Sequence, residues 1–169
     1  MKYVSEALAV CAFVLMGIMA GFFFAFSNIV MPGFDITNPI SAIEGMQGIN
    51  TVVRNPIFFV TFFLTPVFAL AAAVCAFISG HHKAGVLACI AAAIYFGGAF
   101  LVTIMHHIPL NEALAGVDAR ALGTDAASVW MTYSADWTPM NTFRACAGAV
   151  AMIPLVYCVV LLRGQDTIA

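Results

Sequence analysis

The chain has 169 residues, of which 63% are hydrophobic and 8% are charged, and its formal net charge is -2 at pH 7. Ordinary globular domains are roughly 45–50% apolar, so this composition excludes a water-soluble domain and predicts an integral membrane protein. We expect the lipid bilayer as a partner and no nucleic acid.

Four apolar runs are long enough to cross a hydrocarbon core of about 30 Å, because a helix needs roughly 20 residues to do so. None of them contains Asp, Glu, Lys or Arg, and they occupy residues 7–26, 57–78, 84–105 and 145–162. Lipid leaves the backbone a choice between helices and closed barrels. We predict one integral membrane domain, residues 1–169, with helical spans at about 5–28, 56–79, 84–107 and 139–162.

The first span closes with Ser27 and Asn28, which we expect to point into the protein because polar side chains are costly in lipid. Pro32-Gly33 should then turn the chain. Asn55-Pro56 supplies an N-cap residue and a first-turn proline, which predicts the start of the second span. Pro66 should bend that span because it removes a backbone hydrogen bond.

A short amphipathic helix is predicted between the first two spans. Asn38-Pro39 has the sequence of a helix start, and the helix should run to about Arg54. Gln47, Asn50 and Arg54 are spaced by three and four, so they share one face. Such a helix would lie near the membrane interface and cap one end of the bundle.

The third span closes with the densest cluster of proton-transferring side chains in the chain, His106-His107-Ile108-Pro109-Leu110-Asn111-Glu112. Pro109 disfavours helical geometry at the residue before it, so the span should end near His107. Neighbouring helical residues diverge by about 100°, so one of His106 and His107 is expected to face a pocket.

A second short capping helix is predicted to begin at Asp125. It carries an aromatic face at spacings of three and four, formed by Trp130, Tyr133 and Trp137. Thr138-Pro139 should start the last span. Asn141 and Arg144 then lie in its first two turns.

The predicted fold is therefore all-α, a four-helix transmembrane bundle with two short amphipathic capping helices on the non-terminal side. Lys and Arg residues are tied at three on each side, while six of the eight acids lie on the capped side. We expect cytoplasmic termini and a site toward the outer face. Polar side chains from every span and both short helices converge at that capped end, which predicts a buried polar pocket rimmed by phenylalanines 22–26 and 58–63.

These stretches together resemble the anthrone oxygenase-like family of small four-helix membrane proteins. The resemblance rests on Gly21-Phe22-Phe23-Phe24-Ala25-Phe26-Ser27, Met46-Gln47-Gly48-Ile49-Asn50, Pro109-Leu110-Asn111, and the Trp-x-x-Tyr and Trp-x-x-x-Asn-x-x-Arg spacings between Trp130 and Arg144. It implies a membrane oxidoreductase, a monooxygenase that converts the CH2 group of an anthrone-like polycyclic phenol, or another hydrophobic aromatic, into a quinone carbonyl. Dioxygen would be the co-substrate, and no cofactor is evident.

On this interpretation His107 or His106 is the base, since imidazole titrates near neutral pH. Arg54 and Arg144 would stabilise the resulting enolate. The residues assigned to substrate binding are Asn28, Gln47, Asn50, Asn111, Tyr133, Trp137 and Asn141.

Two other functions stay open at this stage. The first is a metal-dependent membrane oxidase with His106, His107 and Glu112 as ligands to copper, iron or zinc, because imidazole and carboxylate suit these metals. The second is a noncatalytic accessory subunit of a membrane complex. The sequence also leaves a homo-oligomer open.

Overall fold

A computed structural model describes residues 1–164 as an all-α protein, which confirms the predicted fold class. Five helices follow one another along the chain: α1, Lys2–Asp35; α2, Pro39–Val52; α3, Pro56–Ile78; α4, His82–Ala115; and α5, Ala126–Gly164. All except α2 are long and apolar enough to cross a membrane. The chain is a multi-pass membrane protein.

The four long helices form a bundle in which each has two main neighbours. Helix α1 packs against α3 and α5, and α4 closes the bundle by packing against the same two helices. Alanines dominate the interior, which lets the helix backbones approach closely; examples are Ala9, Ala12, Ala72, Ala88 and Ala151. One close contact joins α4 to α5, where a Cβ atom added at Gly98 would lie 2.3 Å from the Cβ atom of Ala147.

Replacing Gly98 by alanine should therefore push α4 away from α5. Overpacking of a close interface typically costs about 1–3 kcal/mol of folding free energy, so a clear fall in the thermal unfolding midpoint is expected. Gly97→Ala is the matched control, because a Cβ atom at Gly97 meets no other atom within 4 Å. Equal unfolding midpoints for the two variants would contradict this packing.

Two prolines that should interrupt helices lie instead within continuous ones. Pro32 and Pro109 each follow a π-helical turn, Phe26–Val30 and Thr103–His107 respectively. The amide of Ile108, for example, donates to the carbonyl of Thr103 five residues earlier. A wide turn leaves room for a proline ring that would otherwise collide with the preceding turn. The predicted turn at Pro32-Gly33 and the predicted helix end near His107 are therefore wrong.

Pro139 also fails to separate two helices. The predicted second capping helix and the last span form the single helix α5, which runs through Pro139 without a break. Its 39 residues extend about 58 Å at about 1.5 Å per residue, nearly twice the hydrocarbon thickness of about 30 Å. The first turns of α5 therefore project beyond the spanning part and build the cap.

Helix α2 confirms the other predicted capping helix. Asn38 is its N-cap, with a side-chain oxygen that accepts a hydrogen bond from the Ile40 amide at 3.0 Å. A second apolar core fills the space between α2 and the ends of α1, α4 and α5; it includes Met31, Ile43, Met46, Leu114 and Trp130. This core fixes α2 across the end of the bundle, above the site described next.

Candidate functional site

A cavity of about 360 Å³ lies at the capped end of the bundle, within the range of roughly 300–1,000 Å³ typical of small-molecule sites. Aromatic rings make up much of its wall, as the sequence predicted: Phe22, Phe23, Phe26, Phe58, Phe59, Phe62, Phe63 and Trp137. The polar residues in the wall are Asn50, Arg54, Thr103, His107, Asn111, Glu112 and Arg144. The cavity thus combines a large aromatic surface with a small number of donors and acceptors.

Arg144 is the buried charge of this wall, with a residue exposure of 5%. Its Nη1 atom donates to Thr103 Oγ1 at 2.9 Å, and its Nη2 atom donates to Asn141 Oδ1 at 2.7 Å. The guanidinium carbon lies 4.3 Å from the ring centre of Phe23 and 5.5 Å from that of Trp137, which are cation–π distances. Within residues 1–164, no carboxylate pairs with Arg144, and its Nε atom has no hydrogen-bond partner.

Asn141 fixes the position of the Arg144 side chain but does not itself line the cavity. It is fully buried, and its Nδ2 atom donates to the carbonyl of Phe23 and to Ser27 Oγ, both at 2.7 Å. The amide nitrogen and the amide oxygen of Asn141 are therefore both hydrogen-bonded. This network joins α1 to α5 and fixes the guanidinium at the wall.

Two further amides belong to the wall. The Oδ1 atom of Asn111 accepts hydrogen bonds from the Tyr133 hydroxyl at 2.8 Å and from Trp137 Nε1 at 3.0 Å. Asn50 is 8% exposed, and its buried Nδ2 atom forms no hydrogen bond of ordinary length and angle in the described residues. In the described part of the chain the other buried unpartnered side-chain atoms are Arg144 Nε and Thr138 Oγ1, and only Thr138 lies outside the cavity wall.

The side chains of His106 and His107 lie in different surroundings. His107 is buried in the cavity wall, with Nδ1 3.4 Å from the carbonyl oxygen of Val102 and Nε2 3.3 Å from that of Trp137. A neutral imidazole carries one N–H group and can donate to one of these carbonyls at a time. His106 lies outside the cavity, where its Nε2 atom is 3.2 Å from the carbonyl oxygen of Asp136.

The cavity opens through the side of the bundle between the start of α3 and the end of α4. Phe59, Phe63 and Ile104 line it and are also 43%, 46% and 44% exposed. Arg54 and Glu112 line the same cavity and are exposed. These two opposite charges form no ion pair in the described residues. The opening is therefore apolar, with charged side chains at its rim.

The sequence profile of the anthrone oxygenase family matches residues 57–154, more than half of the chain. The chain belongs to this family. The matched region contains His107, Asn111 and Arg144, whereas α1 and α2, which supply Phe23 and Asn50, lie outside it. No curated protein and no solved structure matches the chain. Membership in the anthrone oxygenase family assigns it an oxygenase-like role in general terms.

Several residues expected to contact substrate lie elsewhere in this anthrone oxygenase family member. Asn28 is exposed and bonds to the Phe24 carbonyl of its own helix. Gln47, also expected to bind substrate, instead supports the fold, because its Nε2 atom donates to the carbonyl of Leu114 at the end of α4 and to that of Val117 just beyond it. Neither residue lines the cavity. Tyr133 does not line the cavity either, but its hydroxyl donates a hydrogen bond to Asn111, which does.

The alternative metal site is not assembled. Among residues 1–164, no three His, Cys, Asp or Glu side chains form a group that could hold a metal ion, so His106, His107 and Glu112 do not converge. The physical reason is the divergence of the two imidazoles on adjacent positions of α4.

Two supporting residues of this anthrone oxygenase family member were not predicted from the sequence. Thr103 accepts a hydrogen bond from Arg144, and its position four residues before His107 on α4 was a usable signal, because such residues share a helix face. Asp35 accepts hydrogen bonds from Trp130 Nε1 at 2.9 Å and Ser134 Oγ at 2.8 Å. No local pattern indicated this long-range contact, which ties the end of α1 to the start of α5.

Proposed function

We propose that the protein is a membrane oxygenase that converts an anthrone-like polycyclic aromatic into the corresponding quinone, with dioxygen as co-substrate. Family membership supports the reaction class, and the aromatic walls of the cavity suit a flat hydrophobic substrate. We also propose that the termini lie in the cytoplasm and the cavity lies toward the outer face, in keeping with the acidic residues of the capped end.

The observation that carries the proposal is the buried guanidinium of Arg144. A buried charge without a counter-ion typically costs several kcal/mol, even after local relaxation. In the described residues, Arg144 has two neutral acceptors and two aromatic faces around it, but no carboxylate. An anionic ligand in the cavity would supply the missing charge. The enolate formed when an anthrone loses a proton is such an anion, and its rings fit the phenylalanine wall.

The chemistry balances with these reactants alone. Loss of a proton from the CH2 group gives an enolate, which passes one electron to dioxygen; the resulting radicals join to form a C–O bond and a peroxide. Protonation of the peroxide, removal of the second C–H proton and cleavage of the O–O bond give the carbonyl and water. The four electrons lost by the carbon reduce the dioxygen completely. Arg144 would stabilise negative charge on the enolate and on the peroxide.

His107 is the proposed proton acceptor, because it is the histidine in the cavity wall. To take a proton from the substrate, one ring nitrogen must turn away from its carbonyl. The two contacts of 3.3 and 3.4 Å are longer than ordinary N–H···O bonds, so this rotation gives up little hydrogen-bond energy. The protonated ring could then donate to a carbonyl again.

Oxygen uptake by purified protein in lipid nanodiscs, with anthrone as substrate, tests the proposal. We expect one dioxygen consumed per anthraquinone formed, at a rate well above that of anthrone in nanodiscs without protein. Isotopic dioxygen should place one labelled atom in the new carbonyl. A rate equal to the protein-free control, or a carbonyl oxygen derived from water, would contradict the proposed function.

A further inference from the structure

The amides of Asn50 and Asn111 form a second polar region of the cavity wall. Asn50 is presented by α2 and Asn111 by the end of α4, and both line the cavity. The Nδ2 atom of Asn50 is buried next to the Tyr133 hydroxyl, but it forms no hydrogen bond of ordinary length and angle in the described residues. A buried donor without a partner is unfavourable, which indicates that a ligand completes it.

Asn111 offers a ligand only donors. The Oδ1 atom of Asn111 already accepts from the Tyr133 hydroxyl and from Trp137 Nε1, which fixes the amide plane and leaves the Nδ2 hydrogens for a ligand. Asn50 likewise contributes an N–H donor. The complementary ligand atom is an oxygen that accepts hydrogen bonds, such as a carbonyl or phenolic oxygen.

The amide pair and Arg144 occupy different parts of the wall. Asn111 lies at the indole nitrogen of Trp137, at 3.0 Å, whereas the Arg144 guanidinium lies near the aromatic ring of Trp137, 5.5 Å from its centre. Thr103 and Asn141 hold Arg144, and neither bonds to the amide pair. The cavity therefore has two separate places at which a ligand oxygen can be bound.

We propose that Asn50 and Asn111 form a subsite for a second oxygen of the ligand, so that the cavity selects polycyclic aromatics with two separated acceptor oxygens. The proposed function supplies the aromatic ring system on which this inference rests. The subsite adds a requirement that the reaction itself does not impose. One oxygen lies at Arg144, and the other lies between the two amides.

Two redox-stable probes separate the subsite from the rest of the cavity. Anthraquinone carries two carbonyl oxygens on opposite edges. Xanthone has the same three-ring frame with one carbonyl, and the oxygen on its opposite edge is a ring ether, a much weaker hydrogen-bond acceptor that does not project from the ring. Binding to the full chain in nanodiscs can be followed by quenching of tryptophan fluorescence, because Trp137 lines the cavity. We expect wild type to bind anthraquinone about fivefold more tightly than xanthone, the effect of one or two net hydrogen bonds.

Asn50→Ala should weaken anthraquinone binding about fivefold and leave xanthone binding unchanged, so the xanthone affinity also reports an intact fold. Asn28→Ala is the matched control, since Asn28 is an exposed amide outside the cavity that bonds to its own helix. Equal affinities of the two probes for wild type, or an equal loss of both in Asn50→Ala, would overturn the subsite alone. Failure of wild type to bind either probe would overturn the proposed aromatic substrate as well.

Discussion

Replacing Arg144 by methionine should lower kcat/KM for anthrone oxidation by about 10²–10³-fold, the usual loss when a buried donor to a developing negative charge is removed. Methionine is apolar and flexible, so it can occupy the space of the side-chain stem without the charge. Relief of the buried charge, which has no carboxylate partner, should offset the loss of the hydrogen bonds to Thr103 and Asn141, so we expect the unfolding midpoint of the variant to change little. Oxygen uptake and thermal unfolding measured on the same preparation check both expectations.

The control for this substitution is Arg120→Met. Arg120 is exposed, and its Nε atom donates to Glu44 at 2.7 Å, a hydrogen bond that raises the pKa of the guanidinium. Its replacement should leave turnover unchanged, because it lies outside the cavity. Arg144→Lys should recover part of the activity by restoring the charge. A methionine variant with full activity, or one that loses activity only because it unfolds, would remove the role proposed for Arg144.

Replacing His107 by phenylalanine should lower kcat by about 10²-fold or more, because general-base catalysis is worth about that much. Phenylalanine keeps an aromatic ring against Trp137, whose ring centre lies 5.0 Å from that of His107. His106→Phe is the matched variant at the adjacent position, and we expect it to lower kcat by less than about tenfold, since it loses one hydrogen bond outside the cavity.

Single-turnover measurements under anaerobic conditions can locate the defect of the histidine variants. Formation of the enolate should be slow in His107→Phe and normal in His106→Phe. Equal losses in the two variants and in Glu112→Ala, with loss of a bound metal, would instead indicate a shared metal centre. Normal enolate formation in His107→Phe would mean that another group accepts the proton.

The spans and α2 could be predicted from the sequence because their signals are local. A long apolar run has few alternatives in a membrane, and Asn38-Pro39 carries its own helix start. The helix boundaries predicted at Pro32, Pro109 and Pro139 are wrong. The prediction considers only the one backbone hydrogen bond that a proline removes from a helix. Ending a helix early exposes several more backbone groups, so wide turns and an uninterrupted α5 are the better solution.

The location of the candidate site could also be predicted, but not the direction of every side chain. A π-helical turn inserts one extra residue, which rotates everything after it by about 100° relative to a regular helix. Ser27 and Asn28 lie inside such a turn, where Ser27 is buried against Asn141 and Asn28 faces outward. Helical periodicity alone cannot place residues beyond that insertion. The long-range support of Arg144 by Thr103 required the packed bundle.

The opening between α3 and α4 has a consequence for how the proposed substrate would enter the cavity. Phe59, Phe63 and Ile104 are exposed at the mouth of the cavity, on helices that are long and apolar enough to span a membrane, so we expect the mouth to adjoin hydrocarbon. A hydrophobic tricycle partitions into the bilayer and reaches such a mouth by lateral diffusion, without crossing water. If the proposed function holds, the bilayer would act as the reservoir of the substrate and as the sink for the quinone. Occupancy of the cavity is governed by the mole fraction of substrate in the lipid, and the aqueous concentration matters only through the partition equilibrium.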